Sequence, residues 1–99
     1  MPNISTQNVL TLQTMTMGSM SLDVVQIGDE PWFYAPSLAS TLEYRDASNM
    51  LRMVKEDEKG AHSVSTLGGI QEAMFLTEPG FYRVVFRSRA ECAEPFKRW

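Results

Sequence analysis

The chain has 99 residues, 43% of them hydrophobic and 21% charged, with a formal net charge of −3. That balance describes one globular domain with a modest core and excludes a disordered, collagen-like or wholly coiled-coil chain. One cysteine, Cys92, and one histidine, His62, exclude an internal disulfide framework and a Cys/His zinc site.

Residues 1–19 are rich in Thr, Ser, Asn, Gln and Met without a sustained periodic face. They predict a flexible N-terminal arm, with a short strand near Val9–Leu12 and a stop at Gly18-Ser19. The domain proper is expected over 20–99. Met20, Leu22 and Val24 alternate with Ser21 and Asp23, and Val25 and Ile27 then continue out of phase. This predicts a strand with a bulge near Val24-Val25. Gly28-Asp29 makes a turn, and Trp32-Phe33-Tyr34-Ala35 is the returning strand of a first hairpin over 20–35. Pro36 opens a short helix to about Glu43. Asp46 caps a second helix to about Val54. The short join at Tyr44-Arg45 makes them a helix-turn-helix-like pair by spacing alone.

Lys55–Gly60 is charged and is expected to be a solvated loop. His62, Val64 and Thr66 predict a strand, Gly68-Gly69 a two-residue turn, and residues 70–76 the return. That return places Ala73 and Phe75 on one face and Met74 and Leu76 on the other. Thr77 caps a further helix with Pro79 in its first turn. Its Phe81, Val84, Val85 and Ser88 form the inward stripe. Arg83 and Arg87, four apart, share an outer face. Ser88-Arg89-Ala90-Glu91 has the form of a capping box for a last helix toward Trp99. That helix meets no stop signal, so the chain is expected to be a piece of a longer protein. The fold class is α+β: two β-hairpins in a small antiparallel sheet packed with short α-helices.

No apolar run approaches the roughly 18–20 residues of a membrane-crossing helix, so no membrane partner is expected. The first basic residue is Arg45, too late for the positive region of a secretory signal. The expected compartment is the cytoplasm, and Asn3-Ile4-Ser5 is then a chance sequon. Phosphate loops, catalytic Cys–His signatures and a matched nucleophile, base and oxyanion donor are missing, so neither enzymatic activity nor a cofactor is expected. Glu56-Asp57-Glu58 reads as a solvated turn rather than a cation site.

Charge is unevenly placed. Residues 1–80 hold four basic against ten acidic residues, a net of −6, whereas residues 81–99 carry +3. A basic end on an acidic body points to an anionic partner, although a solvated helical face has the same pattern. Arg83, Arg87, Arg89, Lys97 and Arg98 are the candidate phosphate contacts. Arg45, Arg52 and Lys55 on the helical pair form a second, weaker set. Of the nearby aromatics, Phe81, Phe86 and Phe96 are read as core. Tyr82 and Trp99 stay open between packing and base stacking. The acidic body alternatively fits a module that binds a repressor or host protein.

The run from Thr66 through Gly80-Phe81-Tyr82-Arg83 and on to Val84-Val85-Phe86-Arg87-Ser88-Arg89 resembles the second half of the BRO family N-terminal domain, as does Phe96-Lys97-Arg98-Trp99. Gly28-Asp29-Glu30-Pro31-Trp32-Phe33 is similar to that family's hairpin. Leu42-Glu43-Tyr44, with Ala47, Leu51 and Glu56–Gly60, is similar to its helical insert. Pro36-Ser37 stands where the family commonly has Lys-Asp. The resemblance covers residues 20–99. It implies a DNA-binding module of the kind found in phages, prophages and large DNA viruses, often at the front of an antirepressor-like protein.

Overall fold

A computed structural model describes residues 9–97 of the chain. The strand periods of the sequence build one six-stranded sheet: β1 Leu10–Thr11, β2 Gln13–Met17, β3 Met20–Ile27, β4 Glu30–Tyr34, β5 Lys59–Thr66 and β6 Gly69–Leu76. The spatial order is β1-β5-β6-β4-β3-β2. Leu12 alone separates β1 at one edge from β2 at the other, so the sheet curls until one continuous segment bridges its two sides. β1 runs parallel to β5, and the other neighbours are antiparallel. The sheet is therefore mixed and larger than the two hairpins foreseen. The short strand expected near Val9–Leu12 is β1, Leu10–Thr11, whereas Gln13–Met17, expected in a flexible arm, forms a second strand. Its Thr and Met side chains suit a half-exposed β-surface, and β3 offers it a ladder from Met20 to Val24.

The curl gives the sheet two buried faces. Val25, Val64 and Phe75 fill the inner one, with Leu10, Leu12, Ile27, Trp32, Tyr34 and Ala73 around them. Met20, Leu22, Val24, Phe33 and Leu76 belong to the larger outer core beneath the helices. This explains Val24-Val25 without a bulge. Pairing with β4 is continuous from Val24 through Ile27, and the two valines simply enter different cores. The faces expected for Ala73, Met74, Phe75 and Leu76 are those observed. The β5–β6 turn is Leu67-Gly68, one residue earlier than expected. Gly69 is already the first strand residue, at a φ of 109° that side chains other than glycine's rarely adopt.

Four helices follow the predicted order: α1 Ala35–Thr41, α2 Ala47–Leu51, α3 Glu78–Arg87 and α4 Glu94–Lys97. The Asp46 carboxylate accepts from the Asn49 backbone N–H at 2.7 Å, and the Thr77 hydroxyl accepts from Gly80 at 3.3 Å. Both caps were legible. Phe81, Val84 and Val85 of α3 are buried, and Phe81 stacks on Phe33 with ring centroids 4.1 Å apart. Ser88 is buried but caps no helix with Glu91. Its hydroxyl accepts from the Ala90 backbone and donates to the Leu42 carbonyl. Lys55–Gly60 is a 3-10 turn, Glu56–Glu58, running into β5, and Glu58 is buried. The Phe96 side chain, Arg98 and Trp99 lie outside the described residues. Among the described residues no helix is long and apolar enough to cross a membrane.

Two features expose the stability of this scaffold to test. α1 ends in a Schellman motif, with the Tyr44 N–H donating to the Ala39 carbonyl and the Glu43 N–H to that of Ser40. Glu43 occupies the left-handed position at φ 62°, where a Cβ is unfavourable. Replacing Glu43 by Gly is expected to stabilise the protein by about 0.5–1 kcal/mol in urea titrations. His62 packs edge-on against Trp32, with centroids 4.8 Å apart, and its Nε2 is buried without a partner. Burial lowers its pKa below the ordinary 6.5. The unfolded chain then takes up the proton first. Stability should fall as pH drops through about 6.5 toward the folded-state pKa, and His62→Phe should remove that slope. Urea midpoints between pH 8 and 5 check both directions.

Candidate nucleic-acid interface

Among the described residues, the structure gives the predicted phosphate contacts different work. Arg83 grips Glu58 with both arms of its fork, Nε to Oε1 at 2.8 Å and Nη2 to Oε2 at 2.9 Å. The Lys55 backbone N–H donates to the same Oε1. The Arg83 hydrogen bonds, then that of Lys55, hold the Glu58 carboxyl down at about 2 against an ordinary 4.5, and Arg83 is raised in turn. The Glu58 carbonyl accepts from the Thr77 N–H at 2.9 Å and its hydroxyl at 3.3 Å. A Cβ on Gly80 would stand 2.7 Å from that carbonyl oxygen, so only glycine lets α3 approach so closely. Arg83 is thus the strut that seats α3 on the 56–58 turn.

Lys97 is also engaged. Its ammonium donates to the Ser88 carbonyl and pairs with Glu94 at 3.2 Å. The position suits the C-terminal end of α3, where backbone carbonyls collect negative potential. Lys55 rims a cleft lined by Asp29, Glu30, Asp57, Glu58 and Glu78, an unfavourable neighbourhood for a phosphate. Arg98 lies outside the described residues.

Four cations remain at the surface. Arg52, Arg87 and Arg89 are exposed and, among the described residues, make no ion pair. Arg45 is 76% exposed and 3.5 Å from the neighbouring Asp46. Reciprocal capping draws three of the four together. The Ser88 N–H bonds Val85, so the Val84 carbonyl is free to accept from the Tyr44 hydroxyl at 2.6 Å. In return the Ser88 hydroxyl donates to the Leu42 carbonyl at 2.8 Å. Burial raises the Tyr44 pKa and the nearby Arg87 charge opposes the rise. The Tyr44-Arg45 turn therefore lies against the C-terminal end of α3, and Arg45, Arg87 and Arg89 border one seam. Arg52 stands beyond α2, away from these ties.

Phe86, expected in the core, is 51% exposed, and Tyr82 is 43% exposed. With Pro79, Arg83 and Arg87 they line a shallow groove along the outer side of α3. The physical reason is saturation of the core stripe: Phe81, Val84 and Val85 already fill the space above the sheet. Glu58, Tyr44 and Ser88 carry the geometry of the site, yet the sequence marks only Ser88, as an inward residue and a cap, and not for its bond to Leu42. The one available signal was Gly80 inside the first turn of a helix, a position that costs stability unless something approaches closely.

The Glu58–Arg83 pair makes a pH prediction. Glu58 is depressed in the folded state, so its contribution is complete above about 4.5 and lost as pH falls toward about 2. Glu58→Gln should flatten that acid limb. Arg83→Ala should lower thermal stability at pH 7 more than Arg87→Ala does, because it strands a buried carboxylate. Calorimetric melting temperatures from pH 2 to 7 measure both.

Comparison with known proteins assigns the family. The BRO family N-terminal domain matches residues 21–99. An uncharacterized protein of Haemophilus influenzae (strain ATCC 51907 / DSM 11121 / KW20 / Rd) is 31% identical over 71 residues, which is 71% of this chain and 35% of the relative. The chain thus spans about a third of the length of that curated relative. No solved structure matches it. With the family's domain matched from the first hairpin to the last residue, the chain belongs to the BRO family by its N-terminal domain.

Proposed function

We propose that this chain is a non-enzymatic DNA-binding domain of a phage or prophage antirepressor-like protein, acting in transcriptional regulation in the host cytoplasm. The family supports the class of function. The observation that carries the site is the seam, held by the Tyr44–Val84 and Ser88–Leu42 bonds, whose two chain segments carry Arg45, Arg87 and Arg89 on a chain of net charge −3. Arginine forks there can take phosphate oxygens in pairs, and their exposure means little desolvation cost on binding. Arg52 extends the surface beyond α2. Arg83 positions α3 and is not a primary contact. Glu43, exposed between α1 and Tyr44, is the unfavourable charge at this seam.

Arg87 also has a structural reason for its place, since the last turn of a helix favours a cation. Conservative and charge-removing variants separate the two roles. Arg87→Ala combined with Arg89→Ala should lower the slope of log affinity against log salt by about 1.8 on duplex DNA, two phosphate contacts' worth. Arg87→Lys should keep most of the slope. Fluorescence anisotropy of labelled duplex and single-stranded DNA across salt concentrations reads this. A folded double variant that binds as the wild type does would remove the seam as the site. Absence of any binding by folded wild type would turn attention to the cleft lined by Asp29, Glu30, Asp57 and Glu78. That cleft is the surface on which the alternative reading, a module for a repressor or host protein, would rest.

A further inference from the structure

We propose that the free edge of β2 is a self-association surface that pairs two copies of this chain antiparallel, about a two-fold axis through Met15. β2 ends the sheet, with β3 on one side and no strand on the other among the described residues. Among the described residues, the same chain segment is paired on its outer side at Leu10–Thr11 alone, to Val64 and Ser65. β5 then turns toward β6 at Leu67-Gly68, across a shallow pocket from Thr14, and among the described residues no strand pairs the outer side of Gln13–Met17.

The direction of its backbone groups follows from the turn. Gly18-Ser19 joins Met17 to Met20 in a two-residue hairpin, whose flanking pair exchanges both hydrogen bonds. Alternation makes Met15–Leu22 and Gln13–Val24 bonded pairs as well. The N–H and C=O groups of Thr14 and Thr16 therefore point outward. The Thr14 hydroxyl, 3.0 Å from the Asp23 carboxylate, holds that end of the strand in place.

This edge is self-complementary. Under a two-fold axis at residue 15, Thr14 of one copy faces Thr16 of the other, and both pairs are oriented to exchange hydrogen bonds. Met15 then meets Met15 across the central non-bonded pair, the spacing at which side chains come closest. Met15 is 39% exposed in the single chain. The strand contains no charge, proline, glycine or bulge, none of the devices by which edges are guarded against pairing. No like charges would oppose each other on the strand itself. Four hydrogen bonds and a few side chains form a small interface, so the association is concentration-dependent rather than permanent.

Sedimentation velocity of the full 99-residue chain over about 10 to 500 μM spans the range such small interfaces occupy. The wild type should shift from monomer toward dimer. Met15→Lys and Met15→Glu should each stay monomeric, because like charges face each other at the axis. An equimolar mixture of the two should associate again. Thr16→Pro removes an outward N–H and none of the β3 ladder bonds, and should also stay monomeric with an unchanged circular dichroism spectrum. Three results overturn the proposal: a wild type that remains monomeric throughout, single charge variants that associate like the wild type, or a mixture that fails to associate.

Discussion

The seating of α3 depends on Glu58. Its carboxylate holds the Arg83 fork, and its carbonyl holds both donors of Thr77. Gly80 permits the approach. An ion pair at the surface contributes little, because water competes and two long side chains must be fixed. This pair differs in that the acidic partner is buried, the geometry is bidentate, and a backbone N–H supplies a third bond. Its main role is directional. It fixes how α3 crosses the sheet, and so which residues face the core and which face outward. Loss of Arg83 would leave the Glu58 carboxylate without its complement in a place shielded from water.

From that anchoring at its N-terminal end, α3 reaches the other end of the site, where helix termini cap one another. Helices leave their last carbonyls without partners, and a buried terminus must find donors elsewhere. Here Tyr44 serves α3 while Ser88 serves α1. Cys92 adds a weak bond to the Thr41 carbonyl, and Lys97 one to Ser88. The segment after α3 is thereby stitched to the segment after α1, although 46 residues separate Ser88 from Leu42. This stitching gathers the arginines, and Glu43 in its left-handed conformation makes the sharp turn that aims Tyr44. Backbone strain is retained here because the surrounding bonds over-determine it.

Much of the fold was legible because it is local. Period-two runs marked β3 to β6, Asp46 and Thr77 marked helix starts, and Phe81, Val84 and Val85 marked a buried stripe. What escaped is non-local. Nothing within residues 10–17 reveals that two edges of a curled sheet lie within reach of one segment. Val24-Val25 looks like a slip until both faces of the strand are known to be buried. Glu58 sits in an acidic triplet that has the composition of a solvated turn, and only Arg83, 25 residues on, makes it a buried group. The candidate site was legible as a list of cations but not as a division of labour. Arg83 and Lys97 cannot be told from Arg87 and Arg89 by spacing, since all four lie on short helical or turn segments.

The charge asymmetry of the sequence has two physical origins, and they are separable. Part of it complements helix dipoles, with Glu78 at the start of α3 and Arg87 at its end. Part is consumed in ion pairs, as with Arg83 and Lys97. What is left over is a short basic seam, with Arg52 apart from it, on a body of net negative charge. For a polyanion the two regions act together: the seam attracts, and the cleft around Asp29, Asp57 and Glu78 repels. A uniformly basic domain of this size could meet a duplex in many orientations. A domain of net charge −3 that gathers Arg45, Arg87 and Arg89 along one border can meet it in few. The acidic body therefore does not argue against the proposed DNA partner; on that proposal it would favour approach from the side where α1 and α3 cap each other.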